Sequence, residues 1–590
     1  MKKLLLYILV LLSLPVAAQN DKDHNFNVAK NLEVFNAIYK NLDLLYVDKL
    51  PADTVIGTAI ESMLDALDPY TEYYPQAKGN DLKMMMTGKY AGVGALIRYS
   101  PKYKNVFIDE PYENMPAANA GLRKGDFILA IDDLSMEGKS TQFVSDHLRG
   151  DAGTTFVIKI RRPSSGKIMK MKITRGAIKM PAVPYFGLLN HGVGYINLNQ
   201  FTEGCAKDFR RAFVEMKKDG MQKLIIDLRN NGGGLESEAV NIVNLFVPKD
   251  VTVVSNRGKV KRLDHDFKTT SEPIDTVMPI VVLVNGNTAS SSEITAGALQ
   301  DLDRAVVMGT RTYGKGLVQT TIDLPYNGKM KLTTHKYYIP SGRCIQAINY
   351  RHDRVGSTEH VPDSLSKVFH TLHGREVRDG GGIKPDIEIK PDTASNIQSY
   401  LMSVIDSTET VLDFVIDYVA KHPTIDNPSK FELTNADYEA FKQHVLKSGF
   451  KYDGVSEKIL KELVKTAKFE GYYDDAKPEF DAIESKLKHN VAKDLDYNRE
   501  RIMQALASDI IGIYYYQRGT IEYTLKHDKQ VKAAEKLLDD SKEYKELPVS
   551  YTHLTLPTNS FNCSPTAVIS LAERGLRKSK IALKEVVNSL

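Results

Sequence analysis

Three consecutive hydroxyl side chains, Ser290 to Ser292, stand between the apolar run PIVVLV and the helix-like segment SEITAGALQ. A serine on a tight strand-to-helix turn exposes its oxygen, and the first turn of the helix offers unbonded N–H groups and a positive dipole end to an oxyanion. The small residues beside the serines, Asn285 to Asn287 and Ala289, leave room for the backbone of a substrate. The pattern therefore indicates a nucleophile for acyl transfer.

The same serines also have a purely structural interpretation. Ser290 stands three residues before Glu293, and S-x-x-E ahead of a helical run is the pattern of a capping box, a commoner use of serine than catalysis. The G-x-S-x-G pattern of α/β-hydrolases is absent at this position. The residues of the turn by themselves leave both interpretations open.

A catalytic serine needs a base. None of the 14 histidines stands in a recognisable arrangement with a carboxylate, and His335 in KLTTHKYY fits the surface of a strand. Lys315 is the better candidate, because no carboxylate neighbours it in the sequence and its flanking glycines, Gly314 and Gly316, permit close approach of backbone and substrate. A lysine accepts a proton only when neutral, so burial would have to lower an ordinary lysine pKa of about 10.4 by several units.

The segment around this lysine also matches most of a phosphate-binding loop. GTRTYGKG, from Gly309 to Gly316, follows G-x-x-x-x-G-K-[ST] except at its last position, where Gly316 replaces the magnesium-binding hydroxyl. The next residues, LVQTTIDLP, have the pattern of a strand, whereas a phosphate-binding loop is followed by a helix. We therefore do not expect nucleotide binding.

A run of three glycines, Gly232 to Gly234, follows the strand-like run LIIDL in LIIDLRNNGGG. Such glycines can turn a peptide N–H toward a reacting carbonyl, or they can make a tight connection between a strand and a helix. The tight connection is the commoner use, and spacing alone does not decide between the two.

The composition is that of a soluble globular protein with several domains. The chain has 590 residues, of which 42% are hydrophobic and 26% charged. A net charge of +4 gives no reason to expect a nucleic-acid partner. Cys205, Cys344 and Cys563 have neither a metal-type spacing nor the number for a disulfide framework, so we expect no metal and no cofactor.

The first residues have the pattern of a secretory signal peptide. MKKLLLYILVLLSLPVAAQN has two lysines, an apolar stretch from Leu4 to about Leu14, and the small residues Ala17 and Ala18. We expect cleavage after Ala18 and export to the periplasm or cell envelope. The alternative is an uncleaved N-terminal anchor.

Periodicity divides the rest of the chain. Helical spacing prevails from about 27 to 75, short β-like runs with glycine turns from 84 to 177, alternating strands and helices from 183 to 391, and Lys- and Glu-rich helices from about 395 to 545. The predicted parts are a signal peptide (1–18), an N-terminal helical segment (19–83), a β-rich domain (84–177), an α/β core (178–394) and a helical C-terminal domain (395–548).

The last residues, 549–590, do not continue this pattern. They begin VSYTHLTLPTN, without helical periodicity, and this stretch looks like the translated end of a transposon adapter used in sequencing libraries. We therefore expect the natural sequence to end at Pro548; the alternative is a genuine but irregular tail.

Taken together, the motifs resemble the C-terminal processing peptidases, which are serine/lysine-dyad enzymes with an inserted PDZ domain. The resemblance covers about residues 30 to 390, and nine stretches follow in the family's order: LDALDPYTEYYP, YAGVGALI, AGLRKGDFILAIDD, GVGYINL, LIIDLRNNGGG, NTASSSEITAGALQD, GTRTYGKGLVQ, KLTTHKYYIPSGRCIQ and DGGGIKPDI. It implies a multidomain α/β and α+β fold, with a crotonase- or Clp-protease-like α/β core, the inserted PDZ domain (84–177), a helical N-terminal segment and a helical C-terminal domain.

The resemblance also implies roles for particular residues. In the family's S-A-S-A-S-E-like segment the middle serine is the nucleophile, and in T-A-S-S-S-E of this chain Ser290 stands at that position. Lys315, 25 residues later, matches the base, and Gln319 matches a glutamine that orients the lysine. The oxyanion would be held by the N–H groups of Ser291 and of one glycine, with Gly233 favoured. The family's turn usually reads G-N-P-G-G, whereas this chain has N-N-G-G-G, which leaves the choice among the three glycines open.

YAGVGALI resembles the carboxylate-binding loop of PDZ domains. Backbone N–H groups around Gly92, Val93, Gly94 and Ala95 would hold a free C-terminal carboxylate, and the peptide would add as an edge strand beside residues 95–97. The alternative is a PDZ fold that only packs on the core and gates it.

The expected function is thus an exported serine endopeptidase whose substrates are proteins with exposed, apolar C-terminal tails, which it processes or degrades. One rival is a catalytically silent scaffold that binds C-terminal peptides, and another is a carrier of hydrophobic ligands on the same fold. An adaptor or activator and a homo-oligomeric assembly are further partners that the sequence leaves undetermined.

Overall fold

The computed structural model describes residues 2–79, 84, 87–347, 362–403, 408–488 and 490–547. The predicted tail, 549–590, lies outside the described residues. The chain forms two compact units: the first contains the residues up to Gly79 together with Gln319–Thr333, and the second contains the remaining described residues.

The helices are numbered in chain order: α1 (Lys2–Leu45), α2 (Ala52–Asp65), α3 (Pro116–Asn119), α4 (Thr141–Leu148), α5 (Cys205–Lys218), α6 (Glu236–Val243), α7 (Ser291–Asp301), α8 (Asn396–Leu401), α9 (Thr410–Lys421), α10 (Asn435–Ser448), α11 (Val455–Glu470), α12 (Lys477–Leu487), α13 (Val491–Tyr497), α14 (Arg499–Leu525), α15 (Lys529–Asp539) and α16 (Ser541–Glu546).

The strands are β1 (Glu72–Tyr74), β2 (Lys89–Gly92), β3 (Ala95–Ser100), β4 (Asn105–Pro111), β5 (Phe127–Ile131), β6 (Leu134–Ser135), β7 (Thr155–Arg162), β8 (Lys167–Thr174), β9 (Gly176–Lys179), β10 (Tyr185–Leu188), β11 (Val193–Asn197), β12 (Lys223–Asp227), β13 (Thr252–Gly258), β14 (His265–Lys268), β15 (Ile280–Val284), β16 (Val306–Gly309), β17 (Leu317–Asp323), β18 (Lys329–Tyr338), β19 (Val368–His370), β20 (Glu376–Arg378) and β21 (Ile387–Glu388).

The first unit holds the N-terminal helices. α1 and α2 precede β1, which pairs antiparallel with the first residues of β18 from Glu72↔Lys331 to Tyr74↔Lys329. Among the residues that the structure describes, no helix combines the length and the hydropathy that a membrane crossing requires.

Within the second unit, residues after Gly88 form a small antiparallel sheet in the order β3-β4-β5-β7-β8, with β6 added beside β5. Alternate residues of these strands and the inner face of α4 form one apolar core, which includes Val106, Ile108, Val144, Leu148 and Ile158. β3 lies at the edge of this sheet. β2 and β9 pair with each other where the chain enters and leaves this domain.

The α/β core is a six-stranded sheet in the order β10-β11-β12-β15-β16-β21, parallel except for β10. Its central strands are buried on both faces, as in parallel sheets covered by helices. In β15, Ile280 and Val282 face α5, α6 and α7, whereas Val281 and Leu283 face α15. The predicted multidomain α/β and α+β architecture, with a helical C-terminal region, is confirmed.

The helical region after Ser395 contributes to the core sheet as well as to a core of its own. α8, α9, α10, α13 and α14 bury residues such as Phe441, Ile502 and Ile510 among themselves. α15 and the following residues instead cover one face of the parallel sheet with Val531, Leu537 and other apolar side chains. The end of the helical region is therefore part of the hydrophobic core that supports the strands.

We expect Leu537→Ala to lower the free energy of unfolding by about 2–5 kcal/mol, because it leaves a cavity against the sheet. Leu537 is 3% exposed and packs among sheet residues. The adjacent Lys536 is exposed, so Lys536→Ala is the matched control and should change the free energy by less than about 0.5 kcal/mol. Urea unfolding curves of the three chains measure the difference; equal midpoints would contradict a supporting role for α15.

Candidate active site

Ser290 lies on a strained turn between a buried strand and a buried helix. β15 ends at Val284, α7 begins at Ser291, and Ser290 between them has φ 57° and ψ −119°. Such a backbone costs a residue with a side chain about 1–3 kcal/mol. An N-cap residue has extended backbone, so helix capping alone does not account for this conformation. A sharp strained turn between strand and helix is the geometry that exposes nucleophilic serines in hydrolases.

Glu293 fastens this turn to the loop that carries Lys315. Its carboxylate is fully buried and accepts four hydrogen bonds: Ser290 N–H and Lys315 N–H at 2.9 Å each on Oε2, and Thr312 Oγ1–H at 2.5 Å and Gly314 N–H at 2.7 Å on Oε1. One carboxylate oxygen thus joins the backbones of the two predicted catalytic residues.

Burial raises the pKa of Glu293 to about 7, while the hydrogen bonds from Thr312, Gly314, Lys315 and Ser290 oppose that rise. The sequence pattern predicted only a capping function for Glu293, and the bond from Ser290 N–H to its carboxylate is half of a capping box. Its three other bonds reach residues 19 to 22 positions away, so no local pattern could have shown them.

The glycines beside Lys315 admit neighbouring backbone. A Cβ on Gly314 would lie 3.0 Å from Ala347 Cβ, and one on Gly316 would lie 2.7 Å from Gln346 N. Gln346 also accepts the Gly316 N–H at 2.7 Å through Oε1. The residues that these glycines allow to approach belong to the chain itself, and Lys315 is half-buried between them.

The glycine turn after β12 lies directly on the serine turn. A Cβ on Gly233, whose φ is +96°, would lie 2.7 Å from both Ala289 O and Ser290 Cβ, and 2.9 Å from Ser291 N. As the first residue of α7, Ser291 has an N–H without an intrahelical acceptor. The two predicted oxyanion donors are thereby brought together, within reach of the Ser290 side chain.

Asn231 holds one of these donors. The Gly233 N–H donates to Asn231 Oδ1 at 2.9 Å, and Asn231 Nδ2 donates to Leu198 O at 2.7 Å. Asn231 is fully buried. This residue was not singled out from the sequence: its bond to Gly233 is a local turn contact two residues away, and its bond to Leu198 joins segments 33 residues apart.

The other two serine hydroxyls bond to the glycine turn. Ser291 Oγ donates to Gly234 O at 2.9 Å, and Ser292 Oγ donates to Asn231 O at 2.9 Å. Both side chains are buried. They fix the two turns against each other, and Ser290 is left as the hydroxyl at the strained position.

Gln319 lies in the first unit, four residues after Lys315 along the chain. Its Nε2 donates to Thr333 Oγ1 at 3.2 Å, and Thr333 Oγ1 donates to Asp68 Oδ1 at 3.2 Å. Asp68 belongs to the LDALDPYTEYYP segment and also accepts the Thr71 N–H and hydroxyl. The glutamine side chain is therefore held by a buried network of the N-terminal region.

The predicted carboxylate loop connects β2 to β3. Val93 is 4% exposed, and its carbonyl accepts the Ala117 N–H at 2.8 Å. Gly94 has φ +71°, and a Cβ there would lie 2.5 Å from Met115 Cβ, so only glycine fits. Gly92 lies on β2 opposite Gly176, and Ala95 begins the edge strand β3.

Comparison with known proteins assigns these regions to families. Residues 192–355 match peptidase family S41, residues 107–162 match a PDZ domain, and residues 401–538 match the family described as "Probable PDZ-protease, C-terminal helical domain".

Curated relatives are similar over most of their length. A "Carboxy-terminal-processing protease" of Bartonella bacilliformis is 36% identical over 62% of this chain and 84% of its own. A "Probable CtpA-like serine protease" of Staphylococcus haemolyticus is 31% identical over 73% of this chain and 80% of its own. Among solved structures, a photosystem II D1 C-terminal processing protease matches with 28% identity and a TM-score of 0.33, over 60% of this chain and 92% of that one.

Proposed function

Since the chain belongs to the C-terminal processing peptidases of family S41, we propose that it is an exported endopeptidase in which Ser290 is the nucleophile and Lys315 the general base. The family makes the chain a serine-type peptidase of C-terminal processing with a PDZ domain. The proposal goes beyond the family in two respects: the enzyme is exported to the periplasm or cell envelope, and its substrates are proteins of that compartment. One observation carries the choice of residues: the strained Ser290 turn is joined to the Lys315 loop through the buried Glu293 carboxylate.

The reaction is acyl transfer in two steps. Neutral Lys315 Nζ takes the proton from Ser290 Oγ as Oγ bonds to the carbonyl carbon of the substrate. The tetrahedral intermediate then breaks its C–N bond, and the protonated Lys315 gives that proton to the leaving amine. Water, deprotonated by Lys315, attacks the ester, and the departing Ser290 Oγ recovers a proton.

The oxyanion would be bound by the N–H groups of Ser291 and Gly233. The Ser291 N–H lies at the positive end of α7, where a developing negative charge is stabilised. The Gly233 N–H must leave Asn231 Oδ1 before it can serve. Substrate binding would therefore complete the oxyanion hole, because the Gly233 N–H would exchange Asn231 Oδ1 for the oxyanion of the substrate as its acceptor.

Two neighbouring glycines test this assignment. Gly233→Ala should lower kcat/KM by at least about 10²-fold, since its Cβ would collide with Ala289 O and Ser290 Cβ and displace the oxyanion donor. Gly232→Ala is the matched control: Gly232 has no atom within 4 Å of its Cβ position and no positive φ. Its activity should stay within about 3-fold of wild type. Equal losses in both variants would remove Gly233 from the proposal.

We assign substrate selection to the PDZ domain. We assign to Gln319 the role of orienting the Lys315 side chain. The N–H groups around Gly92, Val93, Gly94 and Ala95 would bind the free carboxylate, and the tail would pair with the edge of β3. An adaptor or activator and a homo-oligomeric assembly are further proposals, and sedimentation of the chain as a single monomer would contradict the assembly.

We expect the wild-type chain to cleave a disordered reporter protein with an apolar C-terminal tail, and Ser290→Ala to leave it intact. The reporter would carry either a free C-terminal carboxylate or an amide, and the fragments would be identified by intact mass. Faster cleavage of the carboxylate form would support selection by the PDZ domain. Tail binding without cleavage by the wild-type chain would instead favour the silent scaffold.

A further inference from the structure

The outer face of the PDZ sheet packs on the helical C-terminal domain. Ser100 Oγ donates to Glu409 Oε2 at 2.6 Å, and Lys124 Nζ donates to Asp509 Oδ1 at 2.5 Å. Aromatic and aliphatic side chains complete the contact: Phe107, Phe127, Leu412 and Ile416. The two domains therefore share a surface on the side of the sheet opposite to α4.

A cavity of about 170 Å³ remains open in this contact. Arg98, Tyr99 and Lys124 line it from the PDZ side, and Met402, Glu409 and Asp509 line it from the helical side. It adjoins β3, which is the edge strand predicted to receive the substrate tail.

Strand geometry relates this cavity to a bound tail. Along β3, Ala95 and Ile97 pack on the PDZ core, so Leu96 and Arg98 lie on the opposite face. A tail added antiparallel to β3 also alternates its side chains. If the apolar last residue of the tail enters the groove beside α4, the side chains one and three residues earlier point to the outer face. The side chain three residues before the last one then lies beside Arg98.

The lining of the cavity determines the chemistry of that side chain. The Arg98 side chain is 29% exposed and donates no hydrogen bond to a described residue, and its nearest carboxylate oxygen, on Asp109, is 3.8 Å from Nη2. An acceptor on the ligand would satisfy a donor at the exposed end of this guanidinium. The lining has three carboxylates, on Asp109, Glu409 and Asp509, against the two cations Arg98 and Lys124, which disfavours a fourth carboxylate.

We propose that this cavity is a second recognition subsite, which receives the side chain three residues before the C-terminal residue of the substrate and selects a carboxamide, Gln or Asn. The subsite rests on the proposed binding of C-terminal tails to β3. It makes the helical domain a part of the substrate-binding surface, because Met402 and Glu409 form its outer wall.

Fluorescence anisotropy of labelled eight-residue peptides on the full Ser290→Ala chain tests the subsite. The peptides share an apolar last residue and differ only three positions earlier, where they carry Gln, Glu, Lys or Ala. The Gln peptide should bind about 3- to 10-fold more tightly than the Ala peptide, as one hydrogen bond predicts. Arg98→Met, which keeps an alkyl stem over the Phe107 ring and removes the donors, should abolish that difference.

Two further variants separate the subsite from a simple domain contact. Arg161→Met is the matched control, because Arg161 also stacks on aromatic rings of the outer face, those of Tyr103 and Phe127, but does not line the cavity. It should keep the preference for Gln. Glu409→Gln retains an acceptor for the Ser100 hydroxyl and removes one carboxylate from the lining. It should therefore reduce the ratio between the affinities of the Gln peptide and the Glu peptide.

Equal affinities across the four peptides, or a preference for Gln that survives Arg98→Met, would overturn the subsite. The proposed function has its own readout in the same experiment. An amidated Gln peptide that binds as tightly as the free acid would remove carboxylate recognition by the PDZ loop, whatever the result of the series.

Discussion

Lys315→Met is expected to lower kcat/KM for tail cleavage by about 10²–10⁴-fold, the contribution of a general base, while the chain stays folded. Methionine is similar to lysine in length and lacks the amine that receives the Ser290 proton. Lys315→Arg is the decisive companion, because arginine keeps the positive charge and does not deprotonate in proteins. It should be as inactive as Lys315→Met if the lysine works as a base.

Lys249→Met provides the control for this pair, since Lys249 is exposed on the same compact unit and should be replaceable without loss. Single-turnover cleavage of the reporter measures activity, and thermal unfolding verifies the fold. A Lys315→Arg chain that retained more than about a tenth of wild-type activity would mean that the positive charge is what matters, and a different base would have to be sought.

Glu293→Gln is expected to reduce kcat/KM by at least about 10²-fold and also to destabilise the fold. The carboxylate accepts four hydrogen bonds on two oxygens, whereas a carboxamide has one acceptor oxygen and turns an NH₂ toward other donors. Each buried donor left without an acceptor costs about 1–3 kcal/mol. Displacement of the Ser290 turn relative to Lys315 by even about 1 Å accounts for the expected loss of rate.

Glu238→Gln is the matched control for that substitution. Glu238 also accepts backbone N–H groups, from Gly204 and Ala206, but none from the serine turn or the lysine loop. It should therefore lose stability while kcat/KM stays within about 3-fold of wild type. If the two variants lost activity equally, the effect of Glu293 would be one of general stability.

Because the pKa of Glu293 is shifted, both the stability and the activity of the chain should depend on pH, in opposite directions. Burial raises this pKa from 4.5 to about 7, so between these values the folded chain holds a proton that the unfolded chain releases. Stability from this group is greatest below pH 4.5 and falls as the pH rises to about 7, by about 3 kcal/mol at about 1.4 kcal/mol per unit. Activity changes the opposite way, because the ionised form is the one that accepts all four bonds.

We therefore expect kcat/KM of the wild-type chain to fall as the pH drops through about 7, with an acid limb that is weaker in Glu293→Gln, where only protonation of the base Lys315 still lowers activity. Urea unfolding at pH 5 and pH 8 should show that the wild-type chain loses stability toward pH 8 and that the variant changes less. A wild-type profile that is flat from pH 6 to 8 would contradict the pKa.

The local patterns of the sequence determined the order of the elements and the candidate catalytic residues. Ser290 stands between an apolar strand and a helix, Lys315 stands between glycines, and Gly233 follows another buried strand. These signals are visible because each depends on residues within about ten positions of one another, where strand alternation, helix capping and turn chemistry operate. The family resemblance then chose among alternatives that spacing alone had left open.

The way in which these residues are held depends on the three-dimensional packing of the chain. Which carboxylate joins the Ser290 turn to the Lys315 loop, and which glycine packs against the Ser290 turn, depend on contacts between segments far apart in sequence. The same is true of the cavity beside Arg98, whose walls come from two domains. A hydrogen bond or a cavity between distant segments depends on how those segments pack in space, and short-range sequence patterns do not encode that packing.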